Sequence, residues 1–495
     1  MRRTLRPRAL TTGLLLAGLT GTVLVAAPAE ASPLSGAATT DAADYGTCTA
    51  GGDGSAPTVT GATANDDLTQ AFRDFGNSGG GWSNHGGWGA SDGVYSADMP
   101  GGEVAWLMND TFLGPVNPDE SMTEPGFIHG SVVVSGQDGH PLDTVTAGTH
   151  DAPESLVSPP DAVDGDPWYW NGDGIVDGGK LRLFEGRTGK TDGVPPWNFG
   201  WLGTDIATLS DDYQVESITP TYGEPGGASG RVSWGTDLLR CGDYVYVYGV
   251  QDSAMHLARA QAGHLVEQSW DFWDGTGWTD DPAASASVGD DVGASFSVTP
   301  VGGQFVLTTT ASAIFTDHQI YVGTAPTPMG PFTDRTPVYT APEGVGNIYA
   351  PYNVAAHPTV SGPGELVISY NVNSQVFDDL LADANNNRPR FVTITFDTAD
   401  EAAVEVTAVS RCVGKNAYVA VRAMNTSGTA TDVTLSTPYG SRTVAGVQPG
   451  RSAAQSFNAR TGSLDGGRVT VASGSDDGDD GAQVTASYDA VHCTG

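Results

Sequence analysis

The sequence predicts an all-β protein, a five-bladed β-propeller followed by a small C-terminal β-sandwich. A Gly-containing hairpin recurs five times, at intervals of about 60 to 77 residues. The 67 glycines among 495 residues, with few helix formers, argue against a helical bundle. From about residue 401, short alternating segments separated by frequent turns replace the repeat, which is typical of a sandwich.

Each repeat consists of a short strand, a tight turn and an alternating strand rich in β-forming residues. Gly and Asp in the turns supply the positive φ that two-residue hairpins need. A third alternating segment follows each second strand. The predicted centres of the second strands are Trp106, Leu183, Tyr246, Val306 and Ile368. A set of β-sandwiches with coincidental spacing is the alternative, and the regular repeat favours the propeller.

Before and after the repeats, the sequence predicts further segments. Basic residues followed by an apolar run and by Ala29-Glu30-Ala31 are typical of a secretory signal peptide, so we expect a secreted, extracellular protein. One short helix is expected over 67–75. The predicted parts are the signal peptide 1–31, a flexible lead-in 32–64, the putatively catalytic propeller 65–398 and an accessory sandwich 399–495.

The charge balance limits the partners. With 22 Lys and Arg against 58 Asp and Glu, the net charge is −36, which disfavours nucleic acids and anionic membranes. No segment after the signal approaches the length of a membrane span. We expect a monomer that acts on a polysaccharide and needs no cofactor.

Four cysteines in an exported chain predict two disulfides. The pair Cys412–Cys493 is favoured because both lie in the last segment. Cys48–Cys241 would then join the mature N-terminus to the main domain, although other pairings stay open. No Cys/His cluster indicates zinc.

The first strand of each propeller blade lines the central channel, where ligands usually bind. The predicted first strands contain Asp92, Trp170, Trp234, Ser297 and His357. Aromatic rings beside carboxylates, with few cations, suit a neutral ligand rich in hydroxyl groups. We therefore predict that these side chains bind sugar.

Asp92 and Asp110 are the strongest catalytic candidates. Asp92 opens the first strand of the first repeat and Asp110 ends its second strand, so a tight hairpin would bring the two carboxyl groups together. Glycoside hydrolysis needs such a pair, one protonated and one ionised. The alternative is that both aspartates only bond turn amides.

Further polar and aromatic residues are weaker candidates. Asn371 and Arg388 flank the fifth hairpin and are predicted to bind substrate hydroxyl groups. The others, each near a predicted loop or rim, are Glu124, His129, Glu185, Trp197, Glu224, Trp278, Asn373 and Arg390. The run Asn171, Asp173, Asp177 is similar to a calcium loop but lacks its final Glu, so calcium stays unsupported.

The run GASDGVYSADMPGGEVAWLMNDTFLG resembles the opening blade of a family of secreted bacterial five-bladed propellers catalogued as a domain of unknown function. Further similar segments are WNGDGIVDGGKLRLF, RVSWGTDLLRCGDYVYVYG and LVISYNVNS, and the resemblance extends over 65–397. A related group consists of endo-D-arabinanases that cut mycobacterial arabinan. The resemblance implies that their catalytic aspartates correspond to Asp92 and Asp110. The usual Gly before the second aspartate is Asn109 here.

Two functions therefore compete. The first is a secreted glycoside hydrolase acting on a furanose-containing polysaccharide, most simply D-arabinan, by an inverting mechanism with Asp92 and Asp110. The second is a glycan-binding propeller without catalysis, in which both aspartates accept hydroxyl hydrogen bonds. A structural surface protein is a third reading that the export signal also fits.

Overall fold

Hairpins with glycine turns form most of the chain, as the sequence predicts. The computed structural model of the protein describes residues 56–81, 87–149, 151–193, 198–222, 232–362, 364–397, 404–426, 430–474 and 483–493. Gly302 and Gly303 show the turn chemistry, because both have positive φ where Phe296–Val301 turns into Gln304–Thr310. The predicted signal peptide 1–31 lies outside the described residues.

Within the described residues, five antiparallel sheets follow one another along the chain. The first sheet contains Val94–Asp98, Val104–Met108, Ser131–Ser135 and Pro141–Val145. The second contains Trp168–Asp177, Lys180–Lys190, Phe199–Leu209 and Val215–Pro220. The third contains Ser233–Cys241, Tyr244–Gln251, Ala254–Gln261, Asp271–Trp273, Trp278–Thr279 and Ser287–Asp290. The fourth contains Phe296–Val301, Gln304–Thr310, Gln319–Ala325 and Thr333–Thr340. The fifth contains Ile348–Ala356, Glu365–Ser374, Pro389–Asp397 and Thr58–Ala64.

The first strands of the five sheets form a closed ring. Each first strand contacts the first strand of the next sheet, and Ile348–Ala356 of the fifth sheet contacts Val94–Asp98 of the first. The five predicted second-strand centres all lie in second strands. Residues that begin the first strands therefore gather at one end of the ring.

The last sheet contains strands from both ends of the ring. Thr58–Ala64 pairs antiparallel with Pro389–Asp397, from Thr58 opposite Asp397 to Ala64 opposite Val392. The expectation of a flexible lead-in through residue 64 is therefore wrong for Thr58–Ala64, because the backbone groups of this segment join the sheet. Residues 32–55 of that lead-in lie outside the described part of the chain.

The predicted short helix spans Asp66–Asn77. It begins there because the Asn65 side chain accepts a hydrogen bond from the backbone N–H of Leu68 at 3.1 Å. Leu68, Phe72 and Phe75 follow at helical spacing and are buried. The helix thus covers the junction between the first and fifth sheets with an apolar stripe.

Other elements of this part are short. Two further small strand sets are Trp88–Ser91 with Thr111–Leu113 and Gly126–Ile128, and Ala147–Thr149 with Ala152–Glu154. Short helical turns are Leu265–Glu267, Pro282–Ala284, Pro358–Val360, Phe377–Ala382 and Ala384–Asn387. No helix among the described residues is long and apolar enough to cross a membrane.

Two buried aspartates connect neighbouring sheets. Asp173 of the second sheet accepts the backbone N–H of Leu238 in the third at 2.8 Å. Asp237 of the third sheet accepts the backbone N–H of Val298 in the fourth at 3.0 Å. Burial, followed by the charge of Asp237, raises the pKa of Asp173. Each of these two carboxyl groups therefore joins neighbouring sheets.

The side chains of Ser297 and His357 are hydrogen-bonded within the fold. The structure places neither of them with the other predicted sugar-binding residues. Ser297 is 4 % exposed, and its hydroxyl oxygen accepts the backbone N–H of Ala356 at 3.0 Å. His357 is fully buried, with Nδ1 at 2.8 Å from Ser96 Oγ and Nε2 at 2.8 Å from Ser369 Oγ. Burial lowers the pKa of His357 to about 3, so the ring is neutral.

The residues after 403 form two sheets with their own hydrophobic core. One sheet contains Val404–Val413, Asn416–Asn425 and Ser452–Asn458. The other contains Thr431–Thr437, Gly440–Val447, Gly467–Gly474 and Gln483–Tyr488. A short pair, Ser463–Leu464 with Val491–His492, completes this part.

The predicted disulfide Cys412–Cys493 is present, with the two Cα atoms 5.5 Å apart. It joins the first strand after residue 403 to the end of the described chain. Cys241 is not a free thiol, and its predicted partner Cys48 lies outside the described residues.

Candidate active site

Asp92 lies in the tight connection between Trp88–Ser91 and Val94–Asp98. Gly93 follows with φ of 57°, and a Cβ there would come within 2.2 Å of Asn109 Nδ2, so the turn requires glycine. The backbone oxygen of Asp92 accepts the N–H of Asn109 at 2.8 Å. The turn therefore places Asp92 beside the residue that precedes Asp110, as the hairpin argument predicts.

Two side chains of the fifth sheet hold the Asp92 carboxyl group. The hydroxyl of Tyr352 donates to Oδ2 at 2.5 Å, and Asn373 Nδ2 lies 3.3 Å from the same oxygen. Burial and the nearby charge of Asp110 raise the pKa of Asp92 to about 7, although the hydrogen bond from Tyr352 opposes this. Asp92 can therefore carry a proton near neutral pH.

The Asp110 carboxyl group has a different environment. Its side chain is 28 % exposed, and Oδ1 accepts hydrogen bonds from His129 Nδ1 and Trp170 Nε1, each at 2.7 Å. A carboxylate only accepts, so His129 carries a hydrogen on Nδ1. Two N–H donors on one oxygen stabilise the charged form of a carboxylate.

Aromatic packing fixes both donors. The His129 ring stacks on Trp168 with centroids 4.8 Å apart, and the edge of Phe127 lies 5.2 Å away. The Trp170 ring packs edge-on against Phe199 at 5.0 Å. The donors of Asp110 are therefore held by the scaffold.

The turn-amide alternative does not describe Asp110, and it describes Asp92 only in part. Side chains supply the hydrogen bonds to Asp110, and Tyr352 supplies the strongest one to Asp92, with a backbone contribution from Asp110. Neither carboxylate has an Arg or Lys partner among the described residues. The arrangement sets two carboxyl groups close together in different environments, and the proton is favoured on Asp92.

A cavity of about 310 Å³ is lined by neighbours of Asp110, although not by either aspartate itself. Trp170 and Asn109, the neighbours of Asp110 by hydrogen bond and by sequence, both line it. Aromatic side chains form much of its wall, namely Trp170, Phe184, Phe199, Trp201 and Trp234. None of the described lining residues is charged. Such walls suit the CH faces and hydroxyl groups of a neutral sugar.

Local irregularities of the first strands shape this end of the ring. The strand register shifts between Asn171 and Gly174 in the second sheet and between Trp234 and Asp237 in the third. Such bulges change the face to which the following side chains point. Gly235 has φ of 87°, and a Cβ there would lie 2.1 Å from the Phe184 ring, so the cavity wall requires glycine at this position.

The structure brings together only some of the predicted binding residues. Trp170 and Trp234 line the cavity, whereas Ser297 lines a separate cavity of about 290 Å³. Asn371 is fully buried and accepts the backbone N–H of Gly93 at 3.0 Å, so it supports the Asp92 turn.

Arg388 is structural, because its guanidinium group is used within the fold. It is 1 % exposed and donates to Gly89 O at 2.8 Å, Asn77 Oδ1 at 3.0 Å and Asn385 Oδ1 at 3.1 Å. Burial lowers its pKa to about 10. It supports the strand that leads to Asp92.

Glu185, a candidate third carboxylate, lies away from the cavity. Its neighbours Phe184 and Gly186 line the cavity, and successive strand residues point to opposite faces. Glu185 is fully buried, and burial followed by the charge of Asp205 raises its pKa.

Other weak candidates have varied positions. His129 and Asn373 contact the two aspartates, whereas Glu124 is exposed, Arg390 pairs with Glu343 and Trp278 packs on Arg259. Glu224 and Trp197 lie outside the described residues. Tyr352, Phe199 and Trp201 were not foreseen, because no local motif marks a tyrosine or an aromatic wall that is completed from distant strands.

The residues of the calcium-like run bond to different partners in the structure. Asp177 accepts the backbone N–H of Gly263 and the Arg240 side chain, each at 2.6 Å, and Asp173 joins two sheets. No group of three or more potential metal-ligating side chains occurs among the described residues.

Solved structures show the fold to be shared. A candidate hydrolase from Bacteroides ovatus is 20% identical, with a TM-score of 0.55, over 67% of this chain and 90% of its own. An exo-β-1,3-galactanase from Phanerochaete chrysosporium is 11% identical, with a TM-score of 0.37, over 80% and 95%. An α-L-arabinofuranosidase from Lactobacillus brevis is 11% identical, with a TM-score of 0.36, over 61% and 90%. The first of these similarities shows a shared fold.

The sequence itself identifies a family. No curated protein gives a significant match. Residues 81–398 match the sequence profile described as "Domain of unknown function (DUF5005)". This region spans the ring from the first sheet to the fifth and contains both aspartates and the aromatic cavity. The chain therefore belongs to the DUF5005 family.

Proposed function

We propose that the chain is a secreted glycoside hydrolase, an endo-D-arabinanase that cleaves mycobacterial-type arabinan with inversion. The observation that carries the proposal is the contrast between Asp92 and Asp110. Burial and the adjacent charge favour a proton on Asp92, whereas Asp110 is partly exposed and its Oδ1 faces two N–H donors. Unlike carboxyl environments of this kind assign an acid and a base in glycosidases.

The geometry supports a definite division of labour. Asp92 donates its proton to the glycosidic oxygen while the bond from that oxygen to the anomeric carbon breaks. Asp110 accepts a proton from water, whose oxygen forms the new bond to the anomeric carbon from the opposite face. Water then carries the proton of Asp110 to solvent, and Asp92 regains one. The product has the inverted anomeric configuration.

The substrate proposal rests on the cavity and on the family resemblance. Uncharged aromatic walls beside Asp110 favour a neutral sugar over a uronic acid or a phosphorylated one. The resemblance of the first-repeat aspartates to those of endo-D-arabinanases supports a furanose polymer. The signal-like residues 1–31 support secretion, and we propose that the protein is a monomer.

We also infer the finer architecture. The closed ring of five sheets supports five propeller blades, with the outer strand of the last blade supplied by Thr58–Ala64. The two sheets after residue 403 support a disulfide-closed β-sandwich.

The test is product release by the mature chain. D-arabinan, plant arabinan, xylan and galactan are each incubated with wild type and with Asp92→Asn/Asp110→Asn. The matched control is Asp211→Asn/Asp280→Asn, which removes the same charge at exposed sites. We expect oligosaccharides from D-arabinan with wild type and control only, and proton NMR of the first product should show the inverted anomer.

Other results would contradict specific parts of the proposal. Release from a different polymer would change the substrate, and a retained anomer would make Asp110 a nucleophile. No release from any polymer, with equal retention of wild type and the double variant on D-arabinan, would favour the glycan-binding alternative.

A further inference from the structure

The side-chain amide of Asn109 makes two hydrogen bonds with the backbone of Asn171, as the backbone of a neighbouring strand would. Asn109 Oδ1 accepts the Asn171 N–H at 2.6 Å, and Asn109 Nδ2 donates to the Asn171 oxygen at 3.2 Å. The side chain of Asn171 adds a third bond, from Nδ2 to Met108 O at 2.8 Å. A primary amide can make this double contact because it presents one acceptor and two donors side by side. The three bonds join the first and second sheets.

The same two chain segments meet again one residue away. Asp110 follows Asn109, Trp170 precedes Asn171, and Trp170 Nε1 donates to Asp110 Oδ1 at 2.7 Å. The amide pair and the indole bond therefore connect the dipeptide 109–110 to the dipeptide 170–171. The offset between the two segments determines whether the indole N–H reaches the carboxylate.

The hydrogen bonds of the second sheet by themselves constrain the strand around Trp170 and Asn171 only weakly. Its strand register shifts directly after Asn171, between Asn171 and Gly174. A bulge interrupts the regular ladder of hydrogen bonds and allows the strand to bend. The contacts from Asn109 act at the edge of this interruption, where an additional constraint has most effect on Trp170.

Asn109 also packs against the turn that contains Asp92. A Cβ on Gly93 would lie 2.2 Å from Asn109 Nδ2, so the amide packs directly on the residue after Asp92. The Asn109 backbone N–H donates to the Asp92 oxygen. One residue thus contacts the supports of both carboxyl groups without donating to either carboxylate itself.

We propose that Asn109 is a positioning residue, which keeps the Trp170 indole N–H on Asp110. The inference deepens the proposed hydrolase function and rests on it for its kinetic consequences only. It is distinct from a purely structural role, in which Asn109 would join two sheets without affecting the bond between Trp170 and Asp110.

The first test needs no activity. Nitrogen-15 NMR of the tryptophan indoles in the mature chain is recorded for wild type, Asn109→Ala and Asn109→Gly. Trp170→Phe identifies the resonance, since that signal alone disappears. Asn65→Ala is the control, because the Asn65 side chain accepts the Leu68 N–H at the start of the first helix and donates to the Thr393 hydroxyl of the fifth sheet.

We expect the Trp170 indole proton to move upfield in both Asn109 variants, as a charge-assisted hydrogen bond is lost, and to stay in place in Asn65→Ala. An unchanged Trp170 resonance in the folded Asn109 variants would overturn the proposal. A variant that fails to fold is replaced by Asn109→Ser, for which the same two outcomes apply.

The second test is a double-mutant cycle in the hydrolysis assay. A hydrogen bond to a charged group predicts a fall in kcat of about 10- to 100-fold in Asn109→Ala, with a smaller change in KM. If Asn109 acts through Trp170, Asn109→Ala/Trp170→Phe is no slower than Trp170→Phe. Multiplicative losses would overturn the proposal. A wild type inactive on every polymer refutes the hydrolase function, while the NMR result still decides the positioning role.

Discussion

The hydroxyl of Tyr352 donates a 2.5 Å hydrogen bond to Oδ2 of Asp92, across 260 residues of sequence. The two residues belong to the fifth sheet and to the entry of the first, which are adjacent only because the ring closes. Closure therefore supplies the partner that holds the proposed proton carrier. The rate of hydrolysis should be sensitive to the fifth sheet, although both proposed catalytic residues lie in the first repeat.

Tyr352→Phe should shift the high-pH limb of kcat/KM to higher pH. Asp92, as an acid with a pKa raised to about 7, acts in its protonated form, so activity falls as pH rises through this value. The Tyr352 bond stabilises the charged form, and its loss favours the proton still further. A pH profile from 4 to 10 measures the limb. A limb that stays in place or moves to lower pH would show that Asp92 is not the acid.

His129→Phe should lower kcat by about 10- to 100-fold, because one of two N–H donors to the charged Asp110 is lost. His140→Phe is the control, since His140 pairs with Asp67 at an exposed position. Equal kinetics of both variants and wild type would remove His129 from the site.

Trp201→Ala should raise KM by up to about tenfold and leave kcat nearly unchanged. Trp201 lines the cavity without contacting either carboxylate, so its stacking contributes to binding of substrate and transition state alike. Trp278→Ala is the matched control, because Trp278 packs on Arg259 in the third sheet. Initial rates over a range of polymer concentrations separate the two constants. A selective loss of kcat would contradict the assigned role.

Cys412→Ser/Cys493→Ser should destabilise the part after residue 403 by about 4 kcal/mol, since the bridge closes a long loop. Calorimetry should show that its unfolding moves to lower temperature. The residues of the proposed site all lie before 398, so hydrolysis at 25 °C should be retained. Loss of activity in the folded variant would indicate that the last part contributes to the site.

The sequence predicts much of the fold because the repeat is local. The turns, the alternating second strands and the first helix are each encoded within a few residues, as at Gly302 and Gly303. Thr58–Ala64 escapes this reasoning, because its partner strand lies more than 300 residues away. When a strand pairs with a distant part of the chain, the sequence around it does not predict its partner.

The site is only partly predictable for a related reason. Asp92 and Asp110 meet because one hairpin joins them, and spacing along a hairpin is readable. Ser297 and His357 were assigned to the cavity by their place in predicted first strands, but Ser297 Oγ accepts an N–H from the fifth sheet, and His357 lies just after the end of its strand, bonded to Ser96. Bulges, such as that after Asn171, alter which side chains face the cavity, and no residue type predicts where a bulge occurs.

The central claim is that Asp92 and Asp110 catalyse hydrolysis in different roles. The most direct test compares Asp92→Asn and Asp110→Asn on arabinan and on a dinitrophenyl D-arabinofuranoside, whose leaving group needs no proton. The account predicts that Asp92→Asn loses activity on arabinan yet keeps it on the activated glycoside, whereas Asp110→Asn loses both. Wild-type rates for either variant on arabinan would contradict the account.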